Sequence, residues 1–273
     1  ASIATRGSGS DMYRYVRLFL YFLRFSFSRA MEFRVDFFFR VVMDIIFYAV
    51  NILFFEIIFL HTPVLGGWTE NEMRVFIGGF LVIDALSMTL FANNLWILST
   101  FINRGDLDYY LVRPVSSLFF LSLRDFAANS FLNLVIAGGI LAWAVAGYEG
   151  SVAWWEVLLY GALLVNGAYL RYCVRMLTII PSFWLHQGQG LEIVFFHMAR
   201  FVERPHRIFT GPVRLILTTV LPFALMASMP ARLFLDGFHA GGFGLIVLVT
   251  LVFTGLLLLT WRRGLRAYAS ASS

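Results

Sequence analysis

Apolar residues gather along this chain in long runs, and short polar connectors separate the runs. A helix of about 20 apolar residues is long enough to cross the roughly 30 Å hydrocarbon core of a membrane. The pattern therefore predicts an all-α integral membrane protein with six transmembrane helices. The predicted spans are residues 37–60, 75–102, 118–146, 157–184, 215–233 and 241–261.

The N-terminal part of the chain has a different pattern. Residues 12–36 carry five arginines within an aromatic and leucine-rich background, at positions 14, 17, 24, 29 and 34. This is too much charge for a span, and it favours an amphipathic helix in the membrane interface whose arginines reach the lipid headgroups. Residues 1–11 are small and polar, and we interpret them as a cloning remnant that precedes the 37–273 membrane domain and its interfacial helix. No cleaved signal peptide is expected, because the segment after Met12 lacks a small-residue cleavage site.

The fifth predicted span contains two prolines, Pro222 and Pro230. Proline removes a backbone hydrogen bond from a helix, and neighbouring groups must satisfy the freed carbonyl. These positions predict helix breaks and a re-entrant or broken segment near this span.

Composition limits the classes of function that the chain can have. Hydrophobic residues make up 60% of the sequence, charged residues 14%, and the mean hydropathy is +0.78. Average soluble proteins are about 25% charged. The spans and connectors use nearly the whole chain, so no soluble catalytic domain is expected. All 21 basic residues are arginine. Without lysine the chain has no phosphate-binding P-loop lysine, and we expect no ATP hydrolysis by this chain alone.

The arginines are unevenly distributed between the connectors. They concentrate in residues 12–36, 103–124, 186–214 and 262–266. They are absent from the acidic connectors 61–73, 147–156 and 234–240. Because cytoplasmic connectors are enriched in basic residues, the first set and both termini are predicted to be cytoplasmic. A basic excess of this kind indicates membrane orientation rather than a nucleic-acid site.

Several common chemistries find no support in the sequence. The histidines, at positions 61, 186, 197, 206 and 239, show no metal-binding spacing, and Cys173 is the single cysteine. Hydroxyl groups within the predicted spans, at Ser87, Thr89 and Ser130, have no histidine near them in sequence. We therefore expect no metal site, and an intramembrane enzyme is a weaker alternative.

Four charged residues in the predicted spans are candidates for function: Asp44, Asp84, Arg171 and Arg175. A charge at the centre of a membrane helix costs about 2.5–3.5 kcal/mol on insertion scales, so each should face protein or water. They either line a substrate pathway or gate, or form structural ion pairs, such as Asp44 or Asp84 with an arginine on a neighbouring helix. Arg171 and Arg175 also suit snorkelling to the interface.

The connector after the second span reads NRGDLDYYLVRP. Its charged, aromatic and apolar residues predict an ordered element rather than a simple linker. Asp106 and Asp108 follow Gly105, where carboxylates suit a helix N-terminus. The candidate site residues of this connector are Gly105, Asp106, Leu107, Asp108, Tyr110, Leu111, Arg113 and Pro114. Leu107, Tyr110 and Leu111 are predicted to form a small apolar face that docks into a partner. The alternative is a capped surface turn.

Three stretches resemble one known family. GDLDYYLVRPVS is similar to a "G-x-L-D-x-x-L-x-R-P" segment of type-2 ABC exporter permeases, closest to the branch of uncharacterised and viologen-exporter-like permeases. FVERPHRIFTGPVRLILTTVLPFALMASMPA and WRRGLRAYASAS resemble two later segments of that branch. The match runs in order from Met12 to Ser273. It departs at Val202–Glu203, where the family often has a small residue followed by an aromatic one.

The resemblance implies a transmembrane subunit of an ABC exporter in a bacterial cytoplasmic (inner) membrane. It implies six helices, an N-terminal amphipathic helix and re-entrant elements before the last span. Two permeases, identical or homologous, would work with two ATP-binding cassette subunits, which would hold ATP and magnesium while this chain binds no cofactor. The connector at 105–114 would be the coupling helix. A secondary transporter or channel is the main alternative, but the halves show no evident inverted repeat. The substrate stays open.

Overall fold

A computed structural model describes residues 8–32, 34–185, 189–205, 208–209, 211–219 and 221–268. These residues form helices and no β-strand, which confirms the all-α prediction. The helices are α1 (Ser8–Glu32), α2 (Arg34–Phe59), α3 (Glu70–Ser87), α4 (Asn93–Arg104), α5 (Asp108–Leu111), α6 (Ser117–Leu123), α7 (Ala128–Ala146), α8 (Trp154–Ile179), α9 (Gln189–Ala199), α10 (Gly211–Thr219), α11 (Phe223–Met226), α12 (Ser228–Leu235) and α13 (Ala240–Ala267). A π-helical turn, Met88–Ala92, joins α3 to α4, and 3-10 turns occupy Ile180–Phe183 and Arg200–Glu203.

A described helix, α1, covers most of residues 12–36, the segment predicted as an interfacial helix, and its described part begins at Ser8. Its first turn includes residues 8–11, whose small polar composition favours a cloning remnant. The helical pattern thus extends over small polar residues that sequence composition alone placed outside the fold.

The long helices run between two opposite ends of the bundle. At one end, which holds the connector between α2 and α3, Tyr148 after α7 donates a hydrogen bond to the Leu235 carbonyl at 3.2 Å. At the other end, which holds α5, Trp261 Nε1 on α13 donates to Ser117 Oγ on α6 at 3.4 Å. We call these the α2–α3 end and the α5 end.

Four helical stretches of the described chain are long and apolar enough to cross a membrane. They are Phe37–Phe59, Glu70–Arg104, Trp154–Phe183 and Ala240–Ala267, and a shorter apolar helix covers Ser130–Ala146. Glu70–Arg104 is the most enclosed of the four. In its most apolar part 61% of the residues are buried, compared with 17% in Phe37–Phe59. The α3–α4 unit is therefore the centre of the bundle, and α2 is peripheral.

The third predicted span, 118–146, is not one helix, because the chain breaks between α6 and α7. The Asn94 side chain holds the break from α4, donating to the Asp125 carbonyl at 2.8 Å and accepting from the Asp125 amide at 3.1 Å. The Ala127 amide donates to the Thr89 carbonyl at 3.1 Å. The wider π turn of Met88–Ala92 contains that carbonyl, so the irregular turn and the break satisfy each other.

Residues 211–235, which include the predicted fifth span, form three short helices instead of one. The first break precedes α11 at Pro222, and the Leu221 amide bonds back to the Ile216 carbonyl at 2.8 Å. The second break lies at Ala227, with φ −127° and ψ −49°. Pro230 lies three residues after this second break. It occupies the first turn of α12, where a backbone N–H has no intrahelical acceptor and proline is tolerated.

The 186–214 stretch, predicted to be cytoplasmic, does not remain at the α5 end. The Arg204 guanidinium lies 4.1 Å from the centroid of the Phe54 ring, close to the end of α2 that leads into the α2–α3 connector. The stretch contains α9, an apolar helix of 11 residues. This helix is shorter than a membrane span, and polar residues flank it. A search for apolar runs of about 20 residues therefore does not detect it. Residues 186–188, 206–207 and 210 lie outside the described residues.

Two arginines border connectors that the sequence pattern treats as arginine-free. Arg232 lies 3.8 Å from the centroid of the Trp68 ring and donates to Asp236 at 3.2 Å. Arg74 Nε donates to Glu56 at 2.7 Å. Each is therefore paired with a carboxylate, and both hold elements together at the α2–α3 end.

Close packing of helices depends on glycines of α3 and α8. A methyl group at Gly78 would lie 2.9 Å from the Leu141 Cα, and one at Gly167 would overlap the Met226 carbonyl. The α7 glycines Gly138 and Gly139, by contrast, have no neighbouring atom within 4 Å of such a methyl group. Small residues thus permit the backbone of α11 to rest directly on α8.

We expect Gly167→Ala to destabilise the protein by about 1–3 kcal/mol, because the added methyl group must push α11 away from α8. Gly161→Ala on the same helix is the matched control, since nothing lies within 4 Å of its methyl group. Thermal unfolding in detergent measures both. Equal melting temperatures for the two variants would show that α11 does not pack on α8 in this way.

Candidate functional site

The 105–114 segment is built by the end of α4. Gly105 has φ +82°, a left-handed conformation that suits glycine at a helix C-terminus. The Asp106 amide then bonds back to the Phe101 carbonyl at 3.0 Å. One helical turn, α5, follows, and Pro114 cannot continue it because it lacks a backbone N–H. The segment is therefore an ordered turn, joined at one side to α4 and at the other to α6.

Two of its apolar side chains face the protein rather than solvent. Leu107 has no exposed surface and belongs to the main core. Tyr110 packs between Phe101 and Phe120, with ring centroids 5.6 and 5.7 Å away, and its hydroxyl accepts a hydrogen bond from Arg124. The predicted docking face of Leu107, Tyr110 and Leu111 is therefore wrong for its first two members. They attach the segment to the bundle.

A different set of residues forms the exposed face of the segment. Tyr109 is 73% exposed and Val112 is 82% exposed, and Leu111 lies beside them with 36%. The Arg113 guanidinium stacks 4.7 Å from the centroid of Phe120 and is exposed on its other side. An apolar patch bordered by a cation thus projects from the α5 end.

Elements from both chain termini contact this segment or its continuation. The Ser116 amide donates to the Tyr15 hydroxyl of α1 at 3.1 Å. Tyr268, just after α13, lies beside α5, where burial raises the pKa of its phenol and the nearby Asp108 carboxylate raises it further. A displacement of the 105–114 segment would therefore also change the contacts of α1, α4, α6 and α13.

Two of the four charged candidates, Asp84 and Arg171, contact each other across helices. Arg171 on α8 donates to Asp84 on α3 at 2.7 Å, and the two side chains are only 19% and 11% exposed. Glu203 is close enough to both to interact electrostatically. Arg175 lies one turn beyond Arg171 and is half-buried. Asp84 and Arg171 thus form a buried pair at the centre of the bundle.

Asp44 has a separate environment. The Asn133 side-chain amide on α7 donates to its carboxylate. Asp44 also borders a cavity of about 290 Å³ between α2, the π turn and the start of α7. The cavity is lined by Phe39, Arg40, Met43, Asp44, Met88, Ala92, Asn93, Ala127 and Ser130. It combines apolar walls with a few polar groups, as small-molecule sites commonly do.

Within the described residues, histidine, cysteine, aspartate and glutamate side chains form no group of three that could hold a metal ion. Cys173, on α8, is a buried free cysteine. His186 and His206 lie outside the described residues.

A family model described as ABC-2 family transporter protein matches residues 45–272. The chain belongs to this ABC-2 transporter family. It is therefore a multi-pass membrane protein and a permease of an ABC-type transporter, a family whose members work with ATP-binding cassette subunits. No curated protein and no solved structure matches it.

The ABC-2 permease contains functional candidates that sequence reasoning missed. Asn133, the partner of Asp44, is a polar residue in an otherwise apolar run, and that signal was available in the sequence. Glu203 and Arg204 were assigned to a cytoplasmic connector, so their proximity to the central helices had no visible signal. Tyr109 and Val112 lie between the candidate residues of this connector, in and just after a helix too short to show a period.

Proposed function

We propose that this ABC-2 permease is the transmembrane subunit of an ATP-driven exporter. It forms the translocation path with a second permease, identical or homologous, and two separate ATP-binding subunits power it. The observation that carries the proposal is the 105–114 segment, with Tyr109 and Val112 exposed and Leu107 buried in the core. A chain without lysine depends on partners for ATP and magnesium, and this patch is a suitable contact for them.

We further propose six membrane crossings. Four helical stretches are long enough to cross alone. The α6–α7 pair supports a fifth crossing, since Ser117 lies at the α5 end and Tyr148, after α7, at the other. Residues 189–235 support the sixth, in short pieces, because Arg204 and Arg232 both contact residues near the α2–α3 end. The pieces α10 to α12 are the proposed re-entrant element.

The proposed location is a bacterial cytoplasmic membrane, with both termini and the α5 end in the cytoplasm. The arginine bias supports this orientation, because the arginines of α1, residues 103–124 and residues 262–266 lie towards the α5 end, whereas Arg74, Arg204 and Arg232 lie towards the opposite end. The three sequence motifs support a place in the uncharacterised and viologen-exporter-like branch of permeases.

The cavity beside Asp44 is the proposed entry of the substrate pathway in this subunit. It lies towards the α5 end, because Asn93 on α4 and Ser130 on α7 line it near the break between α6 and α7. The Asp84–Arg171 pair lies deeper in the bundle, and we assign it a structural role. The chemical class of the substrate is left open by this mixture of apolar and polar walls.

A labelling experiment tests the orientation that this function requires, because ATP-driven coupling needs the 105–114 segment in the cytoplasm. Single cysteines at Val64 and Glu149, in a Cys173→Ser background, should react with an impermeant maleimide added outside intact cells. A cysteine at Asn103 should react only after the cells are opened. All three side chains are exposed in the structure. Labelling of the Asn103 position from outside would rule out the proposed coupling.

A further inference from the structure

Helix α1 packs one face against the body of the protein. With about 3.6 residues per turn, Tyr15, Phe19, Phe22 and Ser26 fall on this face. The rings of Phe19 and Phe22 meet Phe126 and Phe120 edge to face, at 5.1 and 5.2 Å between centroids. The Phe126 amide donates to Ser26 Oγ at 3.0 Å, which fixes the helix to the break between α6 and α7.

Two further stripes of α1 are exposed to solvent. Val16, Leu20 and Phe27 share an apolar stripe, with exposed fractions of 53%, 58% and 40%. A basic stripe, Arg14, Arg17 and Arg24, lies next to it on the same helix. The sequence between Asp11 and Glu32 contains no acidic residue that could neutralise these arginines.

An apolar stripe beside a basic stripe matches the chemistry of an anionic bilayer surface. Acyl chains can cover the first stripe while phosphate groups bind the second. Each arginine near such a surface contributes about 1 kcal/mol of attraction, which is roughly a fivefold change in binding. Charge and hydropathy therefore point to one occupant, the anionic phospholipids of the membrane.

The same helix contacts the residues that continue the 105–114 segment. Tyr15 accepts the Ser116 amide, and Arg29 forms an ion pair with Asp125. A headgroup that holds α1 in place therefore also holds Ser116 and the α6–α7 break. Those residues connect directly to Pro114 at the end of the segment.

We propose that anionic lipid headgroups bind α1 through Arg14, Arg17 and Arg24 and thereby hold residues 105–126 in position. α1 is then a lipid-sensing element, and the conformation of the 105–114 segment depends on the lipid composition of the membrane. The consequence for transport rests on the coupling role proposed above, but the lipid response itself does not.

Hydrogen exchange tests the proposal on the full chain, without an ATP-binding subunit. The protein is placed in nanodiscs of phosphatidylcholine alone, or of phosphatidylcholine mixed with phosphatidylglycerol. Anionic lipid should slow amide exchange in α1 and in residues 105–126, by up to roughly fivefold for each arginine that binds a headgroup. High salt should reduce the difference, because it screens the attraction.

Three variants make the result decisive. The triple change Arg14→Gln, Arg17→Gln and Arg24→Gln should abolish the lipid response, whereas Arg262→Gln with Arg263→Gln at the exposed end of α13 should leave it intact. Tyr15→Phe removes the bond to Ser116, so the lipid response of residues 105–126 should weaken more than that of α1. An unchanged response in the triple variant overturns the proposal. So does a wild-type response confined to α1, since nothing would then reach the 105–114 segment.

Discussion

Changing Tyr109 and Val112 together to aspartate should detach the ATP-binding subunit from the permease. Both side chains are largely exposed, so the change should not disturb the membrane domain. At a contact, however, two carboxylates would replace the apolar patch. Truncating a residue at the centre of a protein–protein contact commonly costs about 2 kcal/mol or more of binding free energy. The affinity of the permease for the ATP-binding subunit should therefore fall at least about 30-fold. Co-purification and substrate-linked ATP turnover measure the loss.

Two controls separate a lost contact from a lost fold. Val64→Asp with Phe238→Asp places the same charges at exposed apolar positions of the α2–α3 end and should leave association unchanged. Leu107→Asp places a carboxylate in the core and should reduce folded yield instead. If the Tyr109 and Val112 double variant keeps full association and turnover, the 105–114 segment is a surface turn and the coupling contact lies elsewhere.

Asp84→Asn should strongly destabilise the membrane domain. It removes the charge partner of Arg171 and leaves a cation in an environment where the side chain is only 19% exposed. Breaking a buried pair in this way costs about 3–5 kcal/mol. At roughly 2–4 °C per kcal/mol for a chain of this size, the melting temperature should fall by about 10 °C.

The controls for this prediction use a second ion pair and a double replacement. Glu70→Gln disrupts the pair with Arg74 and should cost less than about 1 kcal/mol, because Glu70 is 46% exposed and Arg74 keeps Glu56 as a second partner. Replacing both Asp84 and Arg171 by leucine should recover most of the lost stability, because no uncompensated charge remains. A wild-type melting temperature with abolished transport in Asp84→Asn would instead assign this pair to the pathway.

The long helices could be predicted because each is a run of apolar residues with polar ends. The helices that were not predicted depend on contacts that no local pattern contains. The break between α6 and α7 requires the side chain of Asn94 and the carbonyl of Thr89, both on a different helix. In residues 189–235, glycines, prolines and arginines interrupt the apolar pattern. A search for apolar runs of about 20 residues therefore detects only part of this region.

The candidate site was likewise predictable only where local sequence determines the structure. The sequence located the 105–114 segment through Gly105, its aspartates and Pro114, which all act on the local backbone. It could not say which face the segment exposes, because α5 has four residues and therefore no measurable period. Tyr110 packs against Phe101 of α4 and Phe120 of α6, while Leu107 is buried and Tyr109 faces solvent, so contacts with other helices set which face is exposed.

The ion pair could be anticipated only in outline. The sequence indicated that Asp84 needs a partner, since a lone charge in hydrocarbon is costly. It did not select Arg171, which lies 87 positions away in the chain. Packing of α3 against α8 determines that choice, and Gly79 allows it by accommodating Tyr160 of α8 at close range.

Crosslinking at the exposed face of the 105–114 segment tests directly whether this segment contacts the ATP-binding subunit. A photoreactive amino acid replaces Val112 in cells that produce the whole transporter, and mass spectrometry identifies what it captures. We expect an ATP-binding cassette protein to be captured at position 112 and none when the same group replaces Val64 at the opposite end. Capture of lipid alone at position 112, with no ATP-binding protein, would contradict this expectation.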